Sequence, residues 1–202
     1  MTTIINYNLG NPKSIKNMLA YLGIESRISH NHADIASSDR LILPGVGHFQ
    51  HGMEQLEQLG LAAILKREVL ENKKPILGIC LGMQLLTKHS EEGNLPGLGF
   101  VDAQTKKFVL QDATLKVPHM GWNTADFKKD SQINKGISIN PRYYFVHSYY
   151  VDCANQDDIL CSTTYGQEFV SGFQHQNIFG LQFHPEKSHK FGMELLANFC
   201  KI

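Results

Sequence analysis

Three side chains in this sequence could together carry out nucleophilic chemistry: Cys80, His184 and Glu186. Cys80 ends the short apolar run Ile76-Leu77-Gly78-Ile79, which Lys74-Pro75 precedes, and it opens the leucine-rich pattern Leu81-Gly82-Met83-Gln84-Leu85-Leu86. The run reads as a buried strand and the pattern as a helix, so the thiol stands where one becomes the other. A tight strand-to-helix turn lifts a nucleophile out of a sheet and leaves the next backbone N–H free to bind an oxyanion. Such a turn crowds its neighbours, and Gly78 and Gly82 lie two residues to either side. The helix N-terminus behind the sulfur favours negative charge there. The competing reading is a small apolar core residue, as most free cysteines are.

His184 and Glu186 occur late in the chain, in Leu181-Gln182-Phe183-His184-Pro185-Glu186. At a strand end an i, i+2 pair points to one face, and Pro185, with no N–H for a ladder, marks such an end. A histidine beside a carboxylate is the base-and-orienter half of a triad, for which Cys80 supplies the nucleophile. Alone, His-Pro-Glu also suits a surface turn; the conjunction with Cys80 gives it meaning. Pro44-Gly45-Val46-Gly47-His48-Phe49 adds a glycine loop at another strand end. Gly45 and Gly47 let backbone approach a substrate or reorient a peptide, and an ordinary glycine turn is the alternative.

The elements that must position these residues alternate in type. Residues 3–7 read as a strand and residues 13–22 as a helix with Ile15, Met18, Leu19 and Leu22 on one stripe, closed by Gly23. Strands follow at 25–29 and 40–43. Two helical segments over 53–72, split at Gly60, carry Leu56, Leu59, Ile64, Leu65 and Val69 inward. Residues 90–97 read as a loop after the Cys80 helix. This is a doubly wound α/β pattern with a mostly parallel sheet. In such sheets ligands collect at the carboxyl ends of strands, where residues 7–11, 44–49 and Cys80 all fall. Beyond Gly99, short β segments at 108–110, 115–117, 143–151, 159–163, 169–174 and 179–184 lack crossover helices and predict an antiparallel β extension. A last helix, 191–200, has Ser188 as N-cap and Phe191, Leu195 and Phe199 inward.

Two hundred and two residues without repeat or linker suit a single domain over 1–202. Nineteen basic residues balance nineteen acidic ones with no basic block, which argues against nucleic acid or an anionic membrane as partner. The apolar runs are far shorter than a membrane span, and the N-terminus begins in a strand-like pattern without a signal sequence, so a cytoplasmic protein is expected. Cys80, Cys153, Cys161 and Cys200 form no CxxC pair and are expected to be free thiols. His30, His32, His48 and His51 lack metal-ligand spacing and read as surface residues, so neither metal nor cofactor is expected.

Three segments together resemble the signatures of class I glutamine amidotransferases: GICLGMQLL at 78–86, PGVGHF at 44–49 and HPEK at 184–187. PHMGWN at 118–123 and YFVHSY at 144–149 extend the resemblance end to end toward the branch of that family serving histidine synthesis. The resemblance implies the class I glutamine amidotransferase fold and a mechanism in which Cys80 attacks the glutamine side-chain amide. His184 then protonates the departing ammonia, Glu186 holds the imidazole, and water hydrolyses the thioester. It implies an oxyanion hole from the N–H of Leu81 and one from the Val46-Gly47 segment, reached by a peptide flip. Gln84 and Glu92 would hold glutamine, with the backbone of Ser148 and Tyr149 at its carboxylate. Trp122, Tyr144 and Lys187 would face a cyclase subunit with a (β/α)₈ barrel, a heterodimer partner that receives ammonia through an internal channel. For two of these residues plainer alternatives stand: a solvated loop acid for Glu92 and a core residue for Trp122.

One departure concerns the opening, Asn6-Tyr7-Asn8-Leu9-Gly10-Asn11, where the family has Asp-Tyr-Gly before its Gly-Asn. It leaves the triad untouched and leaves open a paralogous glutaminase that serves another acceptor, such as a bacterial surface sugar. A cysteine peptidase or γ-glutamyl hydrolase of the same shape would have no use for PHMGWN. A non-catalytic binding subunit is disfavoured by the intact Cys80, His184 and Glu186. Glutaminase activity is expected to be nearly silent without the partner, because the oxyanion loop at 44–47 is rich in glycine.

Overall fold

Apolar runs and amphipathic stripes alternate in the first 90 residues, and they fold as parallel strands separated by helices. The computed structural model describes residues 1–202. β1 (Thr2–Ile5) leads to α1 (Pro12–Tyr21), where the Asn11 side chain accepts the Ser14 N–H and Pro12 supplies a fixed φ in the first turn. Ile15 and Leu19 are buried, while Met18 and Leu22 form the margins of the stripe. β2 (Ser26–Ser29) follows, then a short helix absent from the sequence reading, α2 (His32–Ala36), capped by Asn31. β3 (Arg40–Gly45) precedes α3 (Phe49–Gln58) and α4 (Leu61–Lys66), which part at Gly60 with φ +64°. β4 (Ile76–Cys80) runs directly into α5 (Leu81–Leu85).

The second half is β-rich, with boundaries that differ from expectation. The expected loop at 90–97 contains two short strands, β5 (His89–Ser90) and β6 (Leu95–Pro96). The strand expected at 108–110 lies earlier, as β7 (Ala103–Lys107): buried Ala103 and Thr105 alternate with exposed Gln104, which suits a pleat. Phe108 instead joins an aromatic cluster with Tyr150 and Phe169. Residues 115–117 form no strand; pairing begins at β8 (His119–Thr124), whose glycine and asparagine carry little β preference. β9 (Asp126–Phe127) is brief, and the expected strand at 143–151 divides at Ser148 into β10 (Arg142–His147) and β11 (Tyr149–Cys153). β12 (Ile159–Tyr165), β13 (Gln167–His175) and β14 (Ile178–Leu181) complete the strands, and α6 (His189–Phe199) closes the chain with Leu195 and Phe199 buried.

Strands β2, β1, β3, β4 and β14 are neighbours in that order and all parallel. From β14 the sheet continues antiparallel through β13, β11 and β7, with β12 branching from β13, β9 pairing with β12, and β5 and β6 at the far edge. This is the doubly wound sheet with antiparallel extension. Ile5, Leu41 and Leu43 pack with α3, α4 and α5 on one face, whereas Ile4, Ile42, Leu77 and Ile79 pack with α1 and α6 on the other. Burial on both faces explains why these strands are continuous apolar runs. A separate antiparallel pair, β8 with β10, lies over the carboxyl ends of the parallel strands. No helix is long and apolar enough to cross a membrane.

Candidate active site

Cys80 is the last residue of β4, and its backbone adopts φ +54° and ψ −110°. A non-glycine residue is rarely held there without function. Both flanking glycines are required by contact: a Cβ on Gly78 would lie 2.6 Å from the Gly82 carbonyl oxygen, and one on Gly82 would run into the Leu43 carbonyl. β3 pairs with β4 so that Gly45 lies opposite Cys80, which places Val46 and Gly47 beside the sulfur where β3 ends. Gly47 has φ +117°, open only to glycine.

Cys80, Leu81, Val46, Gly47, Gln84, Glu92, Ser148 and Tyr149 all line one cavity of about 280 Å³, together with Pro118, Val146 and His147. Every residue expected in the oxyanion hole or around glutamine is therefore at one place. Glu92 is not a free loop acid, because its Oε2 accepts the Phe49 N–H at 2.8 Å at the start of α3. Gln84 Nε2 donates to the Tyr149 carbonyl at 3.2 Å and to Gln182 Oε1 at 3.0 Å, which leaves its own carbonyl oxygen available to a ligand.

His184 and Glu186 stand behind the cavity rather than in its lining. Imidazole Nδ1 lies 2.8 Å from Glu186 Oε1, and both side chains are buried. The pairing differs in origin from expectation. β14 ends at Leu181, and residues Pro185–Lys187 form a 3₁₀ turn, so the turn rather than a strand pleat brings the two side chains together. Ser188 does not cap α6 with its side chain; its hydroxyl donates to the His184 carbonyl at 2.6 Å and accepts the Tyr144 N–H at 3.0 Å. The His184 N–H donates to the Tyr144 carbonyl at 2.9 Å, fixing this histidine to β10.

Burial works against charge on His184, but the sulfur of Cys80 and the carboxylate of Glu186 outweigh it and hold the imidazolium up to about 10. Even so, Nε2 makes no hydrogen bond. The Cys80 sulfur is instead 3.9 Å from the Val146 carbonyl and 3.7 Å from Gln182 Nε2. The groups for thiol-to-imidazole proton transfer are assembled in a resting arrangement in which their own hydrogen bond is not closed, as is common before substrate binds.

Trp122, Tyr144 and Lys187 lie outside the cavity on one outward face. Trp122 is 40% exposed, so it is not a core residue. Its indole stacks on His189 at 5.4 Å and meets Tyr144 edge-on at 6.3 Å, while the Lys187 ammonium lies 5.7 Å from the Tyr144 ring centre. Met120, Val117 and Val46 are also exposed. His30, His32, His48 and His51 are exposed as expected, and all four cysteines are free. Val146, His147 and Gln182 were not expected at the site, nor was His119, which lies directly opposite His147 in the β8–β10 pair. Both histidines sit inside PHMGWN and YFVHSY, which was the available signal.

The sequence profile described as glutamine amidotransferase class-I matches residues 3–202. The chain is 51% identical to imidazole glycerol phosphate synthase subunit HisH 2 of Methanococcus maripaludis, covering all of this chain and 99% of that one. It is 46% identical to the protein of that same name from Pseudomonas aeruginosa, over the whole of both chains. A solved structure titled glutamine amidotransferase superposes with a TM-score of 0.77 at 16% identity, covering 99% of each chain.

Proposed function

The chain belongs to the class-I glutamine amidotransferases, and from that membership we propose that it is a glutaminase that supplies ammonia to a cyclase subunit for imidazole glycerol phosphate formation in histidine biosynthesis. The observation that carries this is the strained Cys80 elbow in the wall of a small cavity, with the His184–Glu186 pair directly behind it. The full-length similarity to HisH subunits supports the histidine pathway as destination. The working unit is one glutaminase domain over residues 1–202.

Glutamine enters with its α-carboxylate at the Ser148–Tyr149 backbone and its side chain against Gln84 and Glu92. Cys80 attacks the amide carbon as the thiolate, its proton already held on His184 as the imidazolium. The tetrahedral oxyanion is met by the Leu81 N–H and one from the Val46-Gly47 segment. Collapse breaks the C–N bond as His184 returns the proton to nitrogen, so ammonia leaves and a γ-glutamyl thioester remains. His184 then deprotonates water, which attacks the thioester; glutamate departs and the thiol is restored. Glu186 keeps Nδ1 protonated and the ring oriented throughout.

The exposed face bearing Trp122, Tyr144 and Lys187 is where a cyclase of (β/α)₈ form would dock. A large aromatic rimmed by a cation suits an interface anchor. Docking there acts on β10, which carries both the His184 contact at Tyr144 and the Val146 carbonyl beside Cys80. Closure of the Cys80–His184 contact on docking would make hydrolysis partner-dependent. The test is glutamate release from glutamine by this protein, alone and with its cognate cyclase plus nucleotide acceptor, with Cys80→Ala as control. Cys80-dependent release stimulated by cyclase and acceptor supports the reading. Release indifferent to that acceptor redirects the ammonia to another pathway, and none under any condition overturns the glutaminase reading.

A further inference from the structure

His119 and His147 are the two buried histidines that the triad does not use, at 3% and 6% exposure. They face each other across the β8–β10 pair with His119 Nδ1 3.0 Å from His147 Nε2. Their protonation can be worked out from both ends of the contact. At one end His147 Nδ1 lies 2.7 Å from the Tyr149 carbonyl, which can only accept, so Nδ1 carries hydrogen. At the other end Asn123 Oδ1 accepts the Thr124 N–H at 2.8 Å and its Nδ2 donates to the Thr164 carbonyl at 2.9 Å, which fixes the amide's orientation. Asn123 Nδ2 also faces His119 Nε2 at 3.3 Å, so that nitrogen is an acceptor. His119 then holds its hydrogen on Nδ1 and donates to a bare His147 Nε2. Every hydrogen is accounted for only when both rings are neutral Nδ1–H tautomers, and neither can take up a proton without two N–H groups opposing each other or the Asn123 amide turning over. Rings pack around the pair, with Tyr165 4.1 Å and Phe145 4.7 Å from His119, and Phe169 5.2 Å from His147. Burial keeps both imidazoles neutral, at about 4 for His119 and about 3 for His147.

The Tyr149 carbonyl that ends this chain also accepts Gln84 Nε2, and Gln84 reaches through Gln182 toward the Cys80 sulfur. Between His147 and Tyr149 the chain leaves the small β8–β10 pair and enters the large sheet, with Ser148 as the bend and a wall of the cavity. We infer that His119 and His147 are positioning residues for glutamine: as a doubly neutral pair they clamp the Ser148–Tyr149 bend in the form that receives the substrate's α-carboxylate. The inference rests on the glutaminase reading above. It separates positioning from chemistry, since neither ring touches the reacting atoms.

The test uses the protein with its cognate cyclase and acceptor, and reads KM for glutamine against kcat. His147→Phe keeps an aromatic ring but loses the clamp, and KM is expected to rise about tenfold or more, with a much smaller change in kcat. His147→Asn places an amide nitrogen near the lost Nδ1 and is expected to recover most of the KM. His119→Phe is expected to raise KM as well, because it leaves His147 Nε2 without its donor. Independently of activity, ¹⁵N spectra of the histidine-labelled protein at neutral pH should show two neutral Nδ1–H tautomers, the less common form in water. An Nε2–H tautomer or an imidazolium at either position, or an unchanged KM in His147→Phe, would overturn the inference alone. A wild-type complex that turns over no glutamine would overturn it together with the glutaminase reading.

Discussion

Cys80 keeps its place in the cavity wall with a strained backbone at φ +54°, and two glycines make the turn possible. Its effect is visible on His184, whose ordinary value of 6.5 is carried up to about 10 against the cost of burial. A base whose folded value exceeds its unfolded one adds stability that is complete below pH 6.5 and is lost as pH rises from 6.5 to about 10. The thermal midpoint should fall across that window. Cys80→Ala removes the sulfur and keeps a β-carbon at the same strained φ, so its fall should be shallower; an identical slope in both proteins would break the link between sulfur and imidazole. The proposed triad could be named from residue types because Cys80 ends an apolar strand and His-Pro-Glu interrupts the β pattern, although the i, i+2 pleat expected for His184 and Glu186 is instead a 3₁₀ turn. The His119–His147 pair could not, because a buried histidine carries no signature of its own and the pairing depends on a register fixed only in three dimensions.

At the scale of elements, the site is built where three unlike pieces meet: the β4–α5 elbow, the end of β3, and the 3₁₀ turn at Pro185–Lys187 pressed between β10 and α6. Gly192 in α6 permits this last contact, since a Cβ there would run into the Pro185 carbonyl. Gly192→Ala should therefore cost about 1–3 kcal/mol of stability. It should also displace the turn that holds His184 and Glu186, lowering kcat roughly 10- to 100-fold with little change in KM. A variant with normal kcat, read by steady-state kinetics of the complex, would show that α6 does not set the triad's geometry. The parallel half of the sheet was readable because its strands are apolar on both faces and its helices keep a clear stripe. In the second half, β7 and β8 slipped from their expected places: Ala-Gln-Thr-Lys-Lys and His-Met-Gly-Trp-Asn-Thr are weak strand formers held by partners distant in sequence.

The exposed apolar and aromatic side chains Val117, Met120 and Trp122 follow one another along residues 117–122, a stretch whose Pro118 lines the cavity that Cys80 shares. Exposure of such residues together fits a docking surface better than a free one. Trp122→Ala should weaken association with the cyclase by about 2 kcal/mol, roughly 30-fold in Kd. Its thermal midpoint should barely move, because the indole is partly exposed, stacks on His189, meets Tyr144 edge-on and belongs to neither core cluster. Calorimetric titration of the two subunits measures this directly, and an unchanged Kd would move the docking face elsewhere.

The proposed mechanism passes through a covalent bond between Cys80 and the γ-carbonyl of glutamine. Acid quenching of the complex during turnover, followed by intact-mass and peptide mass spectrometry, should find a γ-glutamyl group on the peptide bearing Cys80 and on none bearing Cys153, Cys161 or Cys200. Sustained glutamate release with Cys80 unmodified at every quench time, and persisting in Cys80→Ala, would mean that hydrolysis does not pass through a Cys80 thioester.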